Sequence, residues 1–365
     1  MYKLIKMKYL RSIILLIMLM VLPFTSTVKA SGHGEDGGEL NVKELIFHHL
    51  LDSYEWELPC TEAKLPLPII VRDYQGEWHV FSSSRLAHGE EYEGFKITHE
   101  GDNSGKVVGI DAEGNEYRPL DFSITKNVSE IMLSTLIILV VLLSLAKWYK
   151  KNPNKAPRKL FGGIELLIEM VYVEVIKPIL GPDAKRFAPY LLTIFFFIFT
   201  INLIGMVSVF PGGANLSGNI AVTLVLALLT FLVVNIFGTK HYWKDLFWPE
   251  VPMFMKFPIP IMPVIEIFGA LTKPVALMIR LFANMMGGHM ITLVLISLIF
   301  IFAALGEAVQ SGTAVFSILF ALFMGVLHLL ICLIQAYVFT MLSTIFIGLA
   351  QIHGHKEEHN KEIKQ

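Results

Sequence analysis

Leu271-Thr-Lys-Pro-Val-Ala-Leu-Met-Ile-Arg280-Leu-Phe-Ala-Asn284-Met is the stretch that decides how this chain is read. Arg280 is the only Asp, Glu, Lys or Arg between Pro274 and Gly306. An arginine at the centre of a membrane helix costs roughly 2.5–3.5 kcal/mol on insertion scales, so it faces a partner or an aqueous cavity. The guanidinium stays charged where a lysine or histidine neutralises itself. A permanent cation in that setting points to a protein that handles charge inside the membrane.

The rest of the chain agrees with a membrane setting. Of its 365 residues 54% are hydrophobic, and the mean hydropathy is +0.59. That is too apolar for one soluble domain. Thirty Lys+Arg nearly balance 31 Asp+Glu, so the net charge argues against a nucleic-acid partner. Cys60 falls in a polar region and Cys332 in an apolar one. Neither a disulfide nor a metal pair is expected of them.

Residues 1–30 read as a signal peptide. Lys3, Lys6, Lys8 and Arg11 precede the apolar run Ile13–Phe24, and Val28-Lys29-Ala30 supplies a cleavage site. An uncleaved anchor is the rival reading, but the apolar core is short for a span. Residues 31–127 are polar and form an extracytoplasmic region. A helix is expected over Val42–Leu51 and a hairpin over Ile69–Tyr74 and Glu77–Ser82, around Gln75-Gly76. Further strands are expected over Phe95–His99 and Lys106–Ile110. His48-His49 looks like a metal pair, but adjacent residues point to different helix faces.

The first span is expected over Ile131–Ala146, with Val128 and Ser129 as extensions. Lys147, Lys150, Lys151, Lys155, Arg158 and Lys159 follow it, and such a cluster stays cytoplasmic. Ile164–Ile176 reads as a helix along the cytoplasmic surface. Phe187–Thr239 carries no Asp, Glu, Lys or Arg and splits at Pro211-Gly212-Gly213 into a two-span hairpin. Lys240, Lys244 and Lys256 return the chain to the cytoplasm. Two long apolar segments, about 260–304 and 313–352, flank a short loop with Glu307 and Gly312. Each exceeds what a perpendicular helix needs, so tilt, or a break at Pro274 or Gly287-Gly288, must absorb the excess. The resulting expectation is an all-α polytopic membrane protein of about five crossing helices, the last two long and tilted. A small extracytoplasmic α+β region precedes them.

At about 100° per residue, Glu266, Lys273, Arg280 and Asn284 share a stripe roughly 40° wide. His289 lies nine residues after Arg280, on nearly the opposite face, preceded by the close-packing pair Gly287-Gly288. On the last helix His328 and Gln335 share a face. Two intramembrane histidines and a glutamate on helices flanking an arginine make a proton path; a buried structural network is the blander alternative. On these grounds alone the chain reads as ion- or proton-coupled.

Pro263-Val-Ile-Glu266, the Lys273-Pro274 pair and Arg280-Leu-Phe-Ala-Asn284-Met strongly resemble subunit a of the membrane sector of F-type ATP synthase. Leu333-Ile-Gln335-Ala-Tyr-Val-Phe resembles the signature of that family's last helix, and Asn202-Leu-Ile-Gly also fits. The resemblance covers roughly 130–352 and leaves out 31–127, which is larger than the family's usual N-terminal arm. It implies a membrane domain over 128–352 and a cytoplasmic tail over 353–365. It also implies a non-catalytic stator in a bacterial inner membrane, with a c-ring, a peripheral-stalk subunit b, protons rather than sodium, and the lipid bilayer as partners. Arg280 would face the ring, with Asn284 and Gln335 beside it. Glu266, His289 and His328 would line aqueous half-channels, and Lys273 and Asn202 would support them. Many bacterial relatives carry a Glu and a His where this chain has His289 and His328. The outward acid is therefore expected to be Glu266 or bound water.

Other readings lack their marks. A stand-alone transporter would show internal repeats with paired broken helices, and none joins 130–240 to 260–352. An intramembrane metalloprotease would need a ligand set such as HExxH, and ATP hydrolysis a GxxxxGK[ST] loop; the sequence has neither. His353 and His355 read as solvated tail residues. No cofactor or metal is expected.

Overall fold

A computed structural model describes residues 52–57, 64–98, 103, 105–111, 114–153, 155–158, 160–206, 216–247, 261–303 and 307–362. The signal sequence, the helix expected over Val42–Leu51, His48-His49, Cys60, Lys256 and the loop at Pro211-Gly212-Gly213 lie outside them, as do the side chains of Glu307, His353 and His355. The chain divides into two compact units. One takes the described residues of Met1–Leu136, Leu203–Leu216 and Gly288–Leu329; the other takes those of Ile137–Asn202, Ser217–Gly287 and Leu330–Gln365.

The first unit begins with short strands: β1 (Glu55–Glu57), β2 (Lys64–Pro66), β3 (Pro68–Arg72), β4 (Trp78–Ser82), β5 (Phe95–Ile97), β6 (Val107–Ile110), β7 (Glu116–Tyr117) and β8 (Leu120–Asp121). They pair antiparallel as β1-β2, β4-β3-β8 and β5-β6-β7. Alternation drives β3: Ile69 and Val71 turn inward against Phe81, Leu86, Phe95 and Val107. The hairpin forms where Gln75-Gly76 predicts it, with Gly76 at φ 90°, and its amide bonded to the Asp73 carbonyl. The strands expected at Phe95–His99 and Lys106–Ile110 appear slightly shortened.

Helix α1 (Lys126–Lys151) starts five residues before the expected Ile131. Its first turn is tied to the strands: the Lys126 amide donates to the Ser53 carbonyl at 2.9 Å, and the Asn127 amide to Asp52 Oδ1 at 3.1 Å. Thr125 Oγ1 accepts from the Val128 amide at 3.4 Å.

From Leu160 to Gly205 the chain is helical throughout. It runs as α2 (Leu160–Val171), a π turn (Tyr172–Ile176), α3 (Lys177–Leu180), a 3-10 turn (Gly181–Asp183) and α4 (Ala184–Gly205). The helix expected over Ile164–Ile176 is present, and α2 to α4 follow one another over 46 residues with Gly181 at φ 53° before α4. After it come α5 (Ile220–Ile236), α6 (Lys240–Phe247), α7 (Ile261–Ala303) and α8 (Glu307–Glu362). Among the described residues three helical segments are long and apolar enough to cross a membrane. There are four if the α5–α6 pair, bent by 106°, counts as one span. The protein is a mostly helical, polytopic membrane protein with a strand-bearing N-terminal region.

Helix α7 runs on through Pro274 and Gly287-Gly288 without the break that the sequence allowed there. In the second unit Leu191, Phe195 and Ile198 of α4 pack with Leu277 and Leu281 of α7 and with Ala336, Phe339 and Ile347 of α8. Two buried hydroxyls of α8 bond back onto their own helix: Thr340 Oγ1 donates to the Ala336 carbonyl at 2.9 Å, and Thr344 Oγ1 to the Thr340 carbonyl at 2.7 Å.

Candidate functional site

Helix α7 separates its residues by face. In the second unit Leu277, Leu281 and Met285, four apart, are buried, while Glu266, Lys273, Arg280 and Asn284 are all exposed. Phe268, Leu271, Val275 and Ile279 of α7 are exposed as well, on other sides of the helix, and so are Leu330 and Ile334 of α8. Among the described residues Arg280 has no ion-pair or hydrogen-bond partner. One turn on, Asn284 Nδ2 donates to Gln335 Oε1 at 2.6 Å. Gln335 is buried and its Nε2 has no partner among the described residues. Lys273 Nζ lies 5.5 Å from the ring centre of Phe346. Asn202, fully buried, accepts through Oδ1 from Ser217 Oγ at 2.6 Å and links α4 to the turn before α5.

In the first unit His289 and His328 meet edge to face, their ring centres 5.7 Å apart. The Nε2 atoms of both are buried without a hydrogen-bond partner among the described residues. Gly288 makes this approach possible. A Cβ at 288 would fall 2.0 Å from the His328 ring, whereas one at Gly287 would meet nothing within 4 Å. The glycine pair that sequence marks as a close-packing device is one at its second position only.

The structure therefore brings together Asn284 with Gln335, and His289 with His328. Glu266 has no partner among the described residues. Sequence reading passed over Glu130 and Ser317, which are also buried and unpartnered among the described residues in the first unit. The signal for Glu130 was its spacing with Ser134, four residues further into the apolar run.

In the second unit an exposed arginine stands one turn from a bonded Asn–Gln pair, and in the first unit two histidines meet ring to ring. The ATP synthase A chain family matches residues 130–348. The chain belongs to the ATP synthase subunit a family. Residues 45–122 match a second family, described only as a domain of unknown function. The chain is 39% identical to ATP synthase subunit a of Pelodictyon phaeoclathratiforme over 76% of this chain and 82% of that relative. It is 38% identical to that of Chlorobium phaeobacteroides over 74% and 79%. With that of Anaeromyxobacter sp. it shares 34% over 90% and 76%. Family membership makes it the non-catalytic, proton-translocating stator subunit of an F-type ATP synthase; a stand-alone transporter is not favoured.

Proposed function

We propose that this chain forms two proton half-channels against a rotating c-ring, and that Arg280 separates them. The carrying observation is that Arg280 stands exposed, with no partner among the described residues, on the face of α7 that also carries Asn284, which bonds Gln335. A buried ring carboxylate is normally neutral, because desolvation disfavours its charged form. Opposite Arg280 it is held as the anion and gives its proton to the half-channel it can reach. Asn284 and Gln335 position that exchange, Glu266, His289 and His328 line the access paths, and Lys273 and Asn202 brace the walls. The transported ion is the proton rather than sodium, since imidazoles carry protons and hard cations take oxygen ligands.

The proposed organisation is a signal peptide over 1–30, an extracytoplasmic region over 31–127, a five-span membrane domain over 128–352 and a cytoplasmic tail over 353–365. The protein sits in the bacterial inner membrane with the mature N-terminus outside, joined to a c-ring and to a peripheral-stalk subunit b. The basic cluster from Lys147 to Lys159 supports this orientation. External labelling of cysteines introduced at Gly212 and Lys151 tests it: the first is reached and the second is not, and the reverse pattern refutes the orientation. Arg280→Ala tests the mechanism. ATP synthesis in membrane vesicles stops while the complex still assembles; substantial ATP-driven pumping in that variant refutes the role.

A further inference from the structure

Helix α1 has one buried polar stripe. Asn127, Glu130 and Ser134 are buried, while Met132, Leu136, Leu139, Val140 and Leu143 are exposed in the pattern of a lipid-facing surface. Glu130 is fully buried, and neither carboxyl oxygen has a hydrogen-bond partner among the described residues. Lys126, one turn earlier, lies within electrostatic reach of both Glu130 and His289, so the start of α1 and the histidine pair are neighbours within the first unit. His289 Nε2, His328 Nε2 and Ser317 Oγ are likewise buried and unpartnered among the described residues. Burying a carboxyl with nothing to bond is too costly to leave unanswered. Buried polar groups left without protein partners are the ones that ordered water satisfies.

We propose that Glu130 is the carboxyl proton carrier of the outward half-channel, serving the His289–His328 pair. This rests on the half-channel reading above. The first turn of α1 is bonded to Asp52 and Ser53 of the region proposed to lie outside, so Glu130 sits one turn in from the outward mouth. Its carboxylate takes a proton from hydronium at the mouth, leaving water. It then passes that proton through water to an imidazole Nε2 and returns to the anion. The imidazolium releases the proton onward, so nothing is consumed. The carboxyl that the resemblance leaves missing at 289 or 328 is thereby supplied from α1 rather than by Glu266.

The test uses the whole ATP synthase in inverted vesicles, with ATP-driven pumping, passive proton conductance after removal of the catalytic head, and the amount of assembled subunit all measured. Glu130→Gln should lower pumping and conductance at least about tenfold with assembly unchanged, the loss expected when one positioned acid–base group is removed. Glu130→Asp should stay within about threefold of wild type, because the carboxyl is retained. His289→Glu placed in the Glu130→Gln background should recover most of the loss, which a merely structural glutamate would not allow. Normal conductance in Glu130→Gln overturns the proposal, as does failed recovery in the double variant. If Glu130→Gln does not assemble, Glu130→His decides: an assembled complex that fails to conduct overturns the proposal, and one that conducts supports it. Arg280→Ala runs in parallel. Coupled pumping there would bring down the half-channel reading itself, whereas a dead Arg280→Ala beside a normal Glu130→Gln removes only the Glu130 assignment.

Discussion

The two groups of polar side chains in this molecule are unsatisfied in opposite ways. Arg280 is exposed on a helix otherwise rich in apolar residues, with no counter-ion among the described residues. Glu130, His289, His328 and Ser317 are unsatisfied from within, their polar atoms buried with no described partner. Lipid can answer neither, since hydrocarbon bonds to nothing. An exposed cation in an apolar helix calls for a partner that brings a negative charge. Buried orphans call for water. The first group is built to be met by another chain and the second to be wetted, which is the division a stator with aqueous half-channels needs.

The sharpest way to break that division is to keep the charge of Arg280 but let it vanish. In Arg280→Lys the ammonium can neutralise when desolvated, and proton-driven ATP synthesis should fall at least about a hundredfold, the loss expected when one fixed electrostatic stabiliser is removed. Vesicle synthesis rates measure this. A lysine variant that runs near the wild-type rate would mean the cation is solvated, and the contrast with the buried group would disappear.

The buried group is broken from its packing side. Gly288→Ala puts a Cβ 2.0 Å from the His328 ring, so the ring must swing away; Gly287→Ala meets nothing. Overpacking of this kind costs about 1–3 kcal/mol, and proton conductance should drop about tenfold in the first variant and stay unchanged in the second. Equal behaviour of the two would show that the histidine contact plays no part in conduction. His289→Gln and His328→Gln keep size and hydrogen bonding but cannot carry a proton. Each should reduce flux across the whole pH series, since imidazole is the side chain that titrates near neutral pH.

These experiments also mark where the sequence was legible. The Arg280 group stood out in the sequence because one charge in a long apolar run is costly and the Lys273-Pro274 and Arg280–Asn284 spacings are specific; the Asn284–Gln335 bond came only with the structure. The hairpin was equally plain, as Gln75-Gly76 between alternating residues leaves few turns to choose from. In the α2–α4 run the helix over Ile164–Ile176 was legible from its periodicity, but the π turn and the 3-10 turn that join it to α4 were not. Glu130 was hidden because a carboxylate at the start of a span looks like an interfacial residue. Only packing reveals that its face of α1 turns inward. Gly288 could be flagged by sequence, but not distinguished from Gly287, since the difference lies in where the His328 ring rests.

The bond that ties the Arg280 group together is smaller in consequence. The Asn284–Gln335 contact joins two neutral amides, and such a bond is worth about 1 kcal/mol, roughly fivefold in rate. A double-mutant cycle with Asn284→Ala and Gln335→Ala should give a coupling of about that size in synthesis rate. Strict additivity would mean the two amides act separately, and that the exposed group is a lone arginine rather than a unit.

The smallest effect is expected where neither group lies. Tyr54 is buried under the strands, donates to Asp121 and accepts from the Val107 amide at 3.4 Å. Burial first, then the hydrogen bond to Asp121 and that carboxylate's charge, pushes the phenol well above its ordinary value near 10. A raised folded pKa stabilises fully below the unfolded value and loses that contribution as pH climbs past it. Tyr54→Phe should therefore cost the strand region about 1 kcal/mol near pH 8. Above pH 10 the gap should narrow, as the wild-type phenol meets the cost of staying protonated. Limited proteolysis of the solubilised full chain at pH 8 and pH 10.5 reads both. Proton flux in the same variant should stay within about twofold of wild type, the loosened region still being bonded to α1 through Ser53 and Asp52 at about 1 kcal/mol per bond. A large loss of flux would mean that the placing of Glu130 depends on the packing of the strands, and the buried group would then extend beyond the membrane helices.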